Sequence, residues 1–226
     1  MSLTVVTLLK TQHTVTGEGD RPFWTTLGAS YLAKLAAGVR RYIGDVPIVC
    51  LTDAPDQMPD GVTAKPLLRD DPAWWCKLQQ FAPETGLTGR CLYLDLDNVL
   101  AGPLDALLAL DAPLVMADDM LVPGLPNGSL MLYDAEAMRP LWDSYATKPA
   151  TVQSMFKTWP HAADQAYVAW MNPGVPLFQR HLPAGYLLNS LLMERGAEWS
   201  EAHLVFGCSV PKPHESRHPF YGAHWT

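Results

Sequence analysis

Apolar positions along the chain fall into short blocks whose period switches between two and three to four, and the order of those blocks predicts the architecture. Thr4 to Leu9 alternates and reads as a strand, followed by a loop containing Gly17, Gly19 and Pro22. Leu27, Tyr31, Leu35, Val39 and Ile43 have helical spacing, which predicts a helix over Trp24 to Ile43, with Arg40 and Arg41 in its last turn and Gly44 as its stop. Val46 to Leu51 is a second strand, ended by Thr52 and Asp53. Asp56 to Asp71 is loop-like, with a short strand within Val62 to Leu68. Trp74 to Phe81 reads as a helix, Arg90 to Leu96 as the most buried strand, Leu104 to Leu110 as a short helix and Leu114 to Ala117 as a short strand. Further on come a strand at Ser129 to Tyr133, a helix at Ala135 to Tyr145, a loop or broken helix at Pro149 to Pro160, a helix at Ala163 to Met171 and a strand at Val175 to Leu182. The segment from Pro211 to Thr226, rich in Pro, His and aromatics, is expected to be irregular. Such alternation predicts one α/β domain spanning 1–226, a mostly parallel sheet with helices on both faces.

Composition narrows the functional classes. Charged residues make up 17% of the 226, below the roughly 25% of ordinary soluble domains, which excludes disorder. A net charge of −7 with 16 Lys and Arg argues against broad nucleic-acid or anionic-membrane binding, though not against one small basic pocket. No apolar run approaches the roughly 20 residues of a membrane helix, and the start lacks the basic region of a signal peptide, so the expectation is a cytoplasmic protein. Cys50, Cys76, Cys91 and Cys208 form no CxxC pair and are expected to be reduced thiols.

The densest chemistry is in Tyr93-Leu94-Asp95-Leu96-Asp97-Asn98, where an apolar strand ends in two carboxylates spaced i, i+2. Ligands of open α/β sheets bind at the carboxyl edge of the strands. Two acids so close repel unless a cation or proton lies between them, and a hard divalent ion with oxygen ligands is the economical partner. The alternative is structural: Asp95 ends the strand and Asp97 opens a turn ahead of Pro103. Haloacid-dehalogenase phosphohydrolases also carry Asp-x-Asp at a strand end, but after the first strand of the domain and with a later Lys. Here two strand-helix units come first, and Lys148 and Lys157 are poor candidates for the Lys.

Five short segments in order carry a second resemblance: Trp74-Trp75-Cys76-Lys77-Leu78, Tyr93-Leu94-Asp95-Leu96-Asp97, Asn127-Gly128-Ser129, Asp164-Gln165 and Pro211-Lys212-Pro213-His214-Glu215. Together they resemble GT-A glycosyltransferases similar to glycosyltransferase family 8, in its bacterial and phage-like branch, over about Val5 to Glu215. The resemblance implies a GT-A fold and transfer of a hexose, with retention, from a nucleoside-diphosphate sugar (UDP-linked) to a sugar or glycoconjugate acceptor. It implies that Asp95 and Asp97 hold Mn2+ or Mg2+ on the donor diphosphate, and that Lys77 and Lys212 reach the donor. Asn127 and Ser129 line the donor sugar, Asp118 lies near its hydroxyls, and Asp164 and Gln165 sit beneath the anomeric carbon. Thr7 and Leu8 end the strand that holds the base, with Thr52 and Asp53 a second wall. On the residues alone, Lys77 also reads as a surface lysine, Lys212 as a solvated one and Asp164 as a helix cap. The family's third metal ligand, a His, is replaced by Phe206, which leaves Cys208, His203 or His214 as substitutes and a nucleotide-sugar-binding relic as the rival reading. His214, His218 and His224 lack the Cys partners of a zinc site. Phe220, Tyr221 and Trp225 form either a lid or tail packing. Trp24, Trp142, Trp159, Trp170 and Trp199 are mostly core or rim, and no acceptor platform among them is assignable.

Overall fold

The computed structural model describes residues 2–11, 27–119, 122–157, 163–207 and 211–226. The expected Gly17–Pro22 loop, Trp24, Trp159 and Cys208 lie outside them. β1 (Leu3–Leu9), β2 (Ile48–Thr52), β3 (Val62–Pro66), β4 (Arg90–Leu94), β6 (Leu114–Asp118) and β7 (Pro126–Asp134) form one six-stranded sheet in the order β3-β2-β1-β4-β7-β6. β7 pairs antiparallel with both neighbours; the other pairings are parallel. A smaller sheet, β5-β9-β8, joins β5 (Val99–Leu100), β9 (Leu204–Phe206) and β8 (Leu187–Asn189). Chain order turns outward in opposite directions from β1 and β4, so these adjacent parallel strands mark the topological switch point where α/β sheets bind ligands.

Alternation sorts the side chains of β4. Leu92 and Leu94 join one core, beneath α1 (Ala29–Tyr42) and the small sheet; Cys91 and Tyr93 join the other, beneath residues 73–81, α3 (Ala135–Thr147) and α5 (Ala163–Met171). In α1 the inward residues are Tyr31, Leu32, Leu35, Ala36 and Val39. Gly44, at φ +105°, closes the helix by donating to the Val39 carbonyl at 3.1 Å.

The expected helix at Trp74–Phe81 is a 3₁₀ helix, Ala73–Phe81. Its inward residues, Trp75, Leu78 and Phe81, repeat every third position, and a 3₁₀ helix eclipses i and i+3 where an α-helix would rotate them apart. The strand expected to run to Leu96 stops at Leu94, because Asp95–Asn98 form a turn closed by Asn98 N–H on the Asp95 carbonyl (3.0 Å). The short helix expected at Leu104–Leu110 is α2 (Asp105–Leu108), and Pro149–Pro160 contains a helix, α4 (Pro149–Met155). Val175–Leu182 is not a strand but a single bridge from Leu177 to Met116 followed by a 3₁₀ turn at Phe178–Arg180.

The largest correction concerns the C-terminal third. Three-residue strands β8 and β9 and helix α6 (Ser190–Glu194) are too short to register as periodic. The tail is ordered, with α7 (Pro219–His224) started by Pro219 and capped by His218, whose Nδ1 accepts Phe220 N–H at 3.3 Å. Phe220 and Tyr221 are buried with Val99, Leu188, Met193 and Val205, so they pack the tail rather than form a lid. Cys50, Cys76 and Cys91 are buried and in no disulfide among the described residues; burial pushes their thiols up to about 12, 12 and 11 and keeps them protonated. Among the described residues no helix is long and apolar enough to cross a membrane.

Candidate active site

β4 delivers Asp95 and Asp97 to the carboxyl edge beside the end of β1, within the turn rather than on the strand itself. Asp95 N–H donates to the Ser129 carbonyl of β7 at 2.9 Å, and Asn98 Nδ2 to the same oxygen at 2.8 Å, so β7 clamps the turn. Each carboxylate carries its own ammonium. Lys77 Nζ lies 2.8 Å from both Asp95 oxygens, and Lys212 Nζ 2.5 Å from Asp97 Oδ2. Lys77 is buried, not the surface lysine it resembles in sequence. Tyr93, two residues before Asp95 on the same strand face, donates its hydroxyl to Asp95 Oδ1 at 2.7 Å. That tyrosine was missed in the sequence, although the i, i+2 spacing was there to find it.

Burial and like charge set the electrostatics. The Asp97 carboxyl is raised above the ordinary range by burial, against the pull of Lys212 and with a further push from Asp95. Asp164, in the first turn of α5, is raised to about 6 by burial, opposed by Lys77 and reinforced by Asp95. Burial works against the Lys77 ammonium, but Asp95 and Asp164 outweigh it and hold the group charged. Ala163 leads into α5 in the left-handed region, at φ +64°, an uncommon conformation for a residue with a side chain.

The donor-sugar candidates fall on β7 and its neighbours. Asn127 Oδ1 accepts both Ser129 N–H (2.9 Å) and Ser129 Oγ–H (2.5 Å), which fixes that corner. Gly128 N–H donates to Gln165 Oε1 at 3.2 Å, and a Cβ on Gly128 would come within 3.2 Å of Asp164 Oδ2. The absence of a side chain there is what lets α5 approach β7. Asp118 accepts Gly124 N–H at 2.6 Å and so faces its own loop; the buried Asp119 is the acid that reaches Asn127, at 3.4 Å. Thr7 is wholly buried with its hydroxyl unpartnered among the described residues, whereas Leu8 is half-buried. Thr52 Oγ1 accepts Ala54 N–H, and Asp53 Oδ1 accepts Thr11 N–H at 2.8 Å, which links the ends of β1 and β2. Lys10, also missed in the sequence, is a buried cation past β1 bonded to Asp70 and the Asp71 carbonyl, each at 2.6 Å.

Two carboxylates at a strand end are an oxygen donor set that suits Mg2+ or Mn2+ when substrate phosphates and water complete the shell. Asp95 and Asp97 fit that requirement as a pair; among the described residues no group of three His, Cys, Asp or Glu comes together to hold an ion. Phe206 is core. His203 is removed as a ligand: β5 and β9 run antiparallel, so Asp97 lies across from Gly207, while the His203 ring stacks on Tyr186 and contacts the Pro103 carbonyl. His214 is committed to the Tyr31 hydroxyl, and Cys208 lies outside the described residues.

No protein-family model and no curated protein matches the chain. Solved structures do. The galactosyltransferase LgtC, in complex with donor and acceptor sugar analogues, matches with a TM-score of 0.64 at 12% identity over 97% of this chain and 92% of LgtC. The apo glycosyltransferase GlyE of Streptococcus pneumoniae TIGR4 matches with a TM-score of 0.62 at 14% identity over 94% of this chain and 56% of GlyE. At these identities the likeness establishes the fold, a GT-A-like α/β architecture. The haloacid-dehalogenase alternative loses its footing, because Asp95 and Asp97 follow β4 rather than the first strand.

Proposed function

We propose that the chain is a metal-dependent glycosyltransferase that moves a hexose from a nucleoside-diphosphate sugar, UDP-linked, to a sugar or glycoconjugate acceptor with retention of configuration. The observation that carries this reading is the pair Asp95–Lys77 and Asp97–Lys212, set at the carboxyl edge of the switch point between β1 and β4. A buried site with two anions and two cations, all paired to each other, is built to exchange partners with a ligand that brings both signs of charge.

Asp95 and Asp97 would hold Mn2+ or Mg2+, which when bound supplies electrophilic stabilisation of the diphosphate leaving group. Lys212 and Lys77, released from the aspartates, would bind the phosphate oxygens, so their charge is stationed where negative charge grows in the transition state. Asn127 and Ser129 would orient the donor sugar, with Asp119 behind Asn127 rather than the loop-facing Asp118 as the supporting acid; Asp164 and Gln165 would lie beneath the anomeric carbon, and Leu8 with Thr7 would bound the base. Buried thiols outside any disulfide, at Cys50, Cys76 and Cys91, accord with a cytoplasmic setting.

Calorimetric titration with UDP, with and without Mn2+ or Mg2+, followed by donor-hydrolysis and transfer assays, tests the reading. UDP binding that requires the ion, accompanied by turnover of a UDP-hexose, is the expected result; absence of nucleotide binding would overturn it. Phe206 in place of the third ligand favours one second reading, a nucleotide-sugar-binding relic, which predicts metal-dependent binding without turnover.

A further inference from the structure

Helix α5 has two working faces. Asp164, Tyr167 and Val168 point inward, whereas Gln165, Ala169 and Trp170 face a cleft of about 330 Å³ whose opposite wall is Leu125, Pro126 and Phe156. Trp170 is 60% exposed, an unusual state for the largest apolar side chain, yet its ring is held in place. Phe156 lies 6.1 Å away between ring centroids and Tyr167 6.4 Å away, its plane 28° from that of the indole. Among the described residues no charged side chain lines the cleft, and Gln165 is the one side-chain amide that does. Its Oε1 is occupied by Gly128 N–H, so the end offered to a ligand is the donor Nε2.

We propose that this cleft binds a neutral pyranoside, the acceptor, with one C–H face of the sugar ring on the Trp170 indole and a hydroxyl at Gln165. An aromatic floor beside one amide donor matches a pyranose, which has an apolar face and a polar edge. A nucleoside diphosphate, a phosphate or an acidic peptide would find no cation among the described residues of the lining. The volume falls within the range of small-ligand pockets and accommodates a hexose ring. Gln165 joins the two sides: its amide lines the cleft while its Oε1 accepts Gly128 N–H of β7, beside Asp164, so a sugar on Trp170 would lie one helix face away from the donor-side residues. The word acceptor rests on the transferase reading; sugar binding on Trp170 does not.

Saturation-transfer NMR with methyl pyranosides of gluco, galacto and N-acetylglucosamine configuration tests the proposal on the full chain. At least one glycoside is expected to take up saturation at its ring C–H protons. Trp170→Ala should weaken its binding about five- to tenfold, and Trp170→Phe should restore part of it. Trp170 is surface-exposed, and a circular dichroism spectrum checks that each variant remains folded. The cleft proposal falls if no glycoside binds, if Trp170→Ala binds as well as the parent, or if a simple alkyl probe competes with the glycoside. Titrating UDP with Mn2+ against the same parent preparation separates the two claims. Glycoside binding without nucleotide binding keeps the cleft and removes the transferase; nucleotide binding alone keeps the transferase and removes the cleft.

Discussion

Asp97 is nearly sealed from solvent, and the charge that balances it is on Lys212. Taken in sequence, Asp97 beside Asp95 suggests that Asp97→Asn would relieve repulsion and raise stability. The ion pair offsets part of that gain without reversing it, because burial and Asp95 still hold the Asp97 carboxyl above its ordinary range. Asp97→Asn is therefore expected to leave the melting temperature of the ion-free protein unchanged or slightly raised, since the neutral amide is cheaper to bury and Lys212 can turn toward water. It should weaken Mn2+-dependent UDP binding by at least about tenfold, the lower bound for losing even an outer-shell partner. Unchanged affinity would remove Asp97 from the metal site. Asp164 provides a pH-resolved test. Its folded value of about 6 lies above the ordinary 3.8, so the fold prefers the protonated carboxyl. The corresponding stability is present below pH 4 and is lost as pH rises through 6. Asp164→Asn should thus stabilise the nucleotide-free protein at pH 8, by up to about 3 kcal/mol, and leave it unchanged at pH 4. Thermal melts at the two pH values decide it, and an equal effect at both would show that the charge of Asp164 is not the cause.

The seam between β5 and β9 positions Asp97 as much as β4 does. Gly207 follows β9, and a Cβ there would stand 3.0 Å from both Cγ and Oδ2 of Asp97. Gly207→Ala is expected to cost about 1–3 kcal/mol in urea denaturation through overpacking and to reduce UDP–Mn2+ affinity with it. A neutral result would mean that the small sheet yields freely, and that Asp97 is held by β4 alone. The 3₁₀ segment 73–81 shows why local pattern was a partial guide. The apolar residues are evident in the sequence, but over nine residues a three-residue period looks like a 3.6-residue one, and only the packing of Trp75, Leu78 and Phe81 under the sheet distinguishes them.

The tail closes the molecule onto its site. Tyr31 of α1 bonds His214 through its hydroxyl and packs edge-on against Trp225 at 4.8 Å, while Lys34 donates to the Trp225 carbonyl at 2.9 Å and sits over its ring. His214 follows Lys212 by two residues, so the chain terminus and the ion pair share one anchorage on α1. Trp225→Ala is expected to cost about 1–2 kcal/mol, within the range for lost packing. It should also speed amide exchange across 211–226 and weaken UDP–Mn2+ binding by displacing Lys212. Faster exchange with undiminished affinity would separate the tail from the site.

Strand order along the chain, the apolar alternation of β4 and the acidic pair at its end were legible because they depend on local spacing and on the general position of ligand sites in α/β sheets. Asp164, Gln165, Asn127 and Lys212 were legible only as matches to a remote pattern. Nothing in their spacing brings them to Asp95. That proximity comes from pairing between strands far apart in sequence, from a glycine that admits α5 to β7, and from a tail folded back over α1. The same is true of Lys77, whose burial was invisible until the 3₁₀ helix lay under the sheet. The partner of each charge, and hence the sign of each mutational effect, is a property of contacts between distant segments, and those exist only in the folded chain.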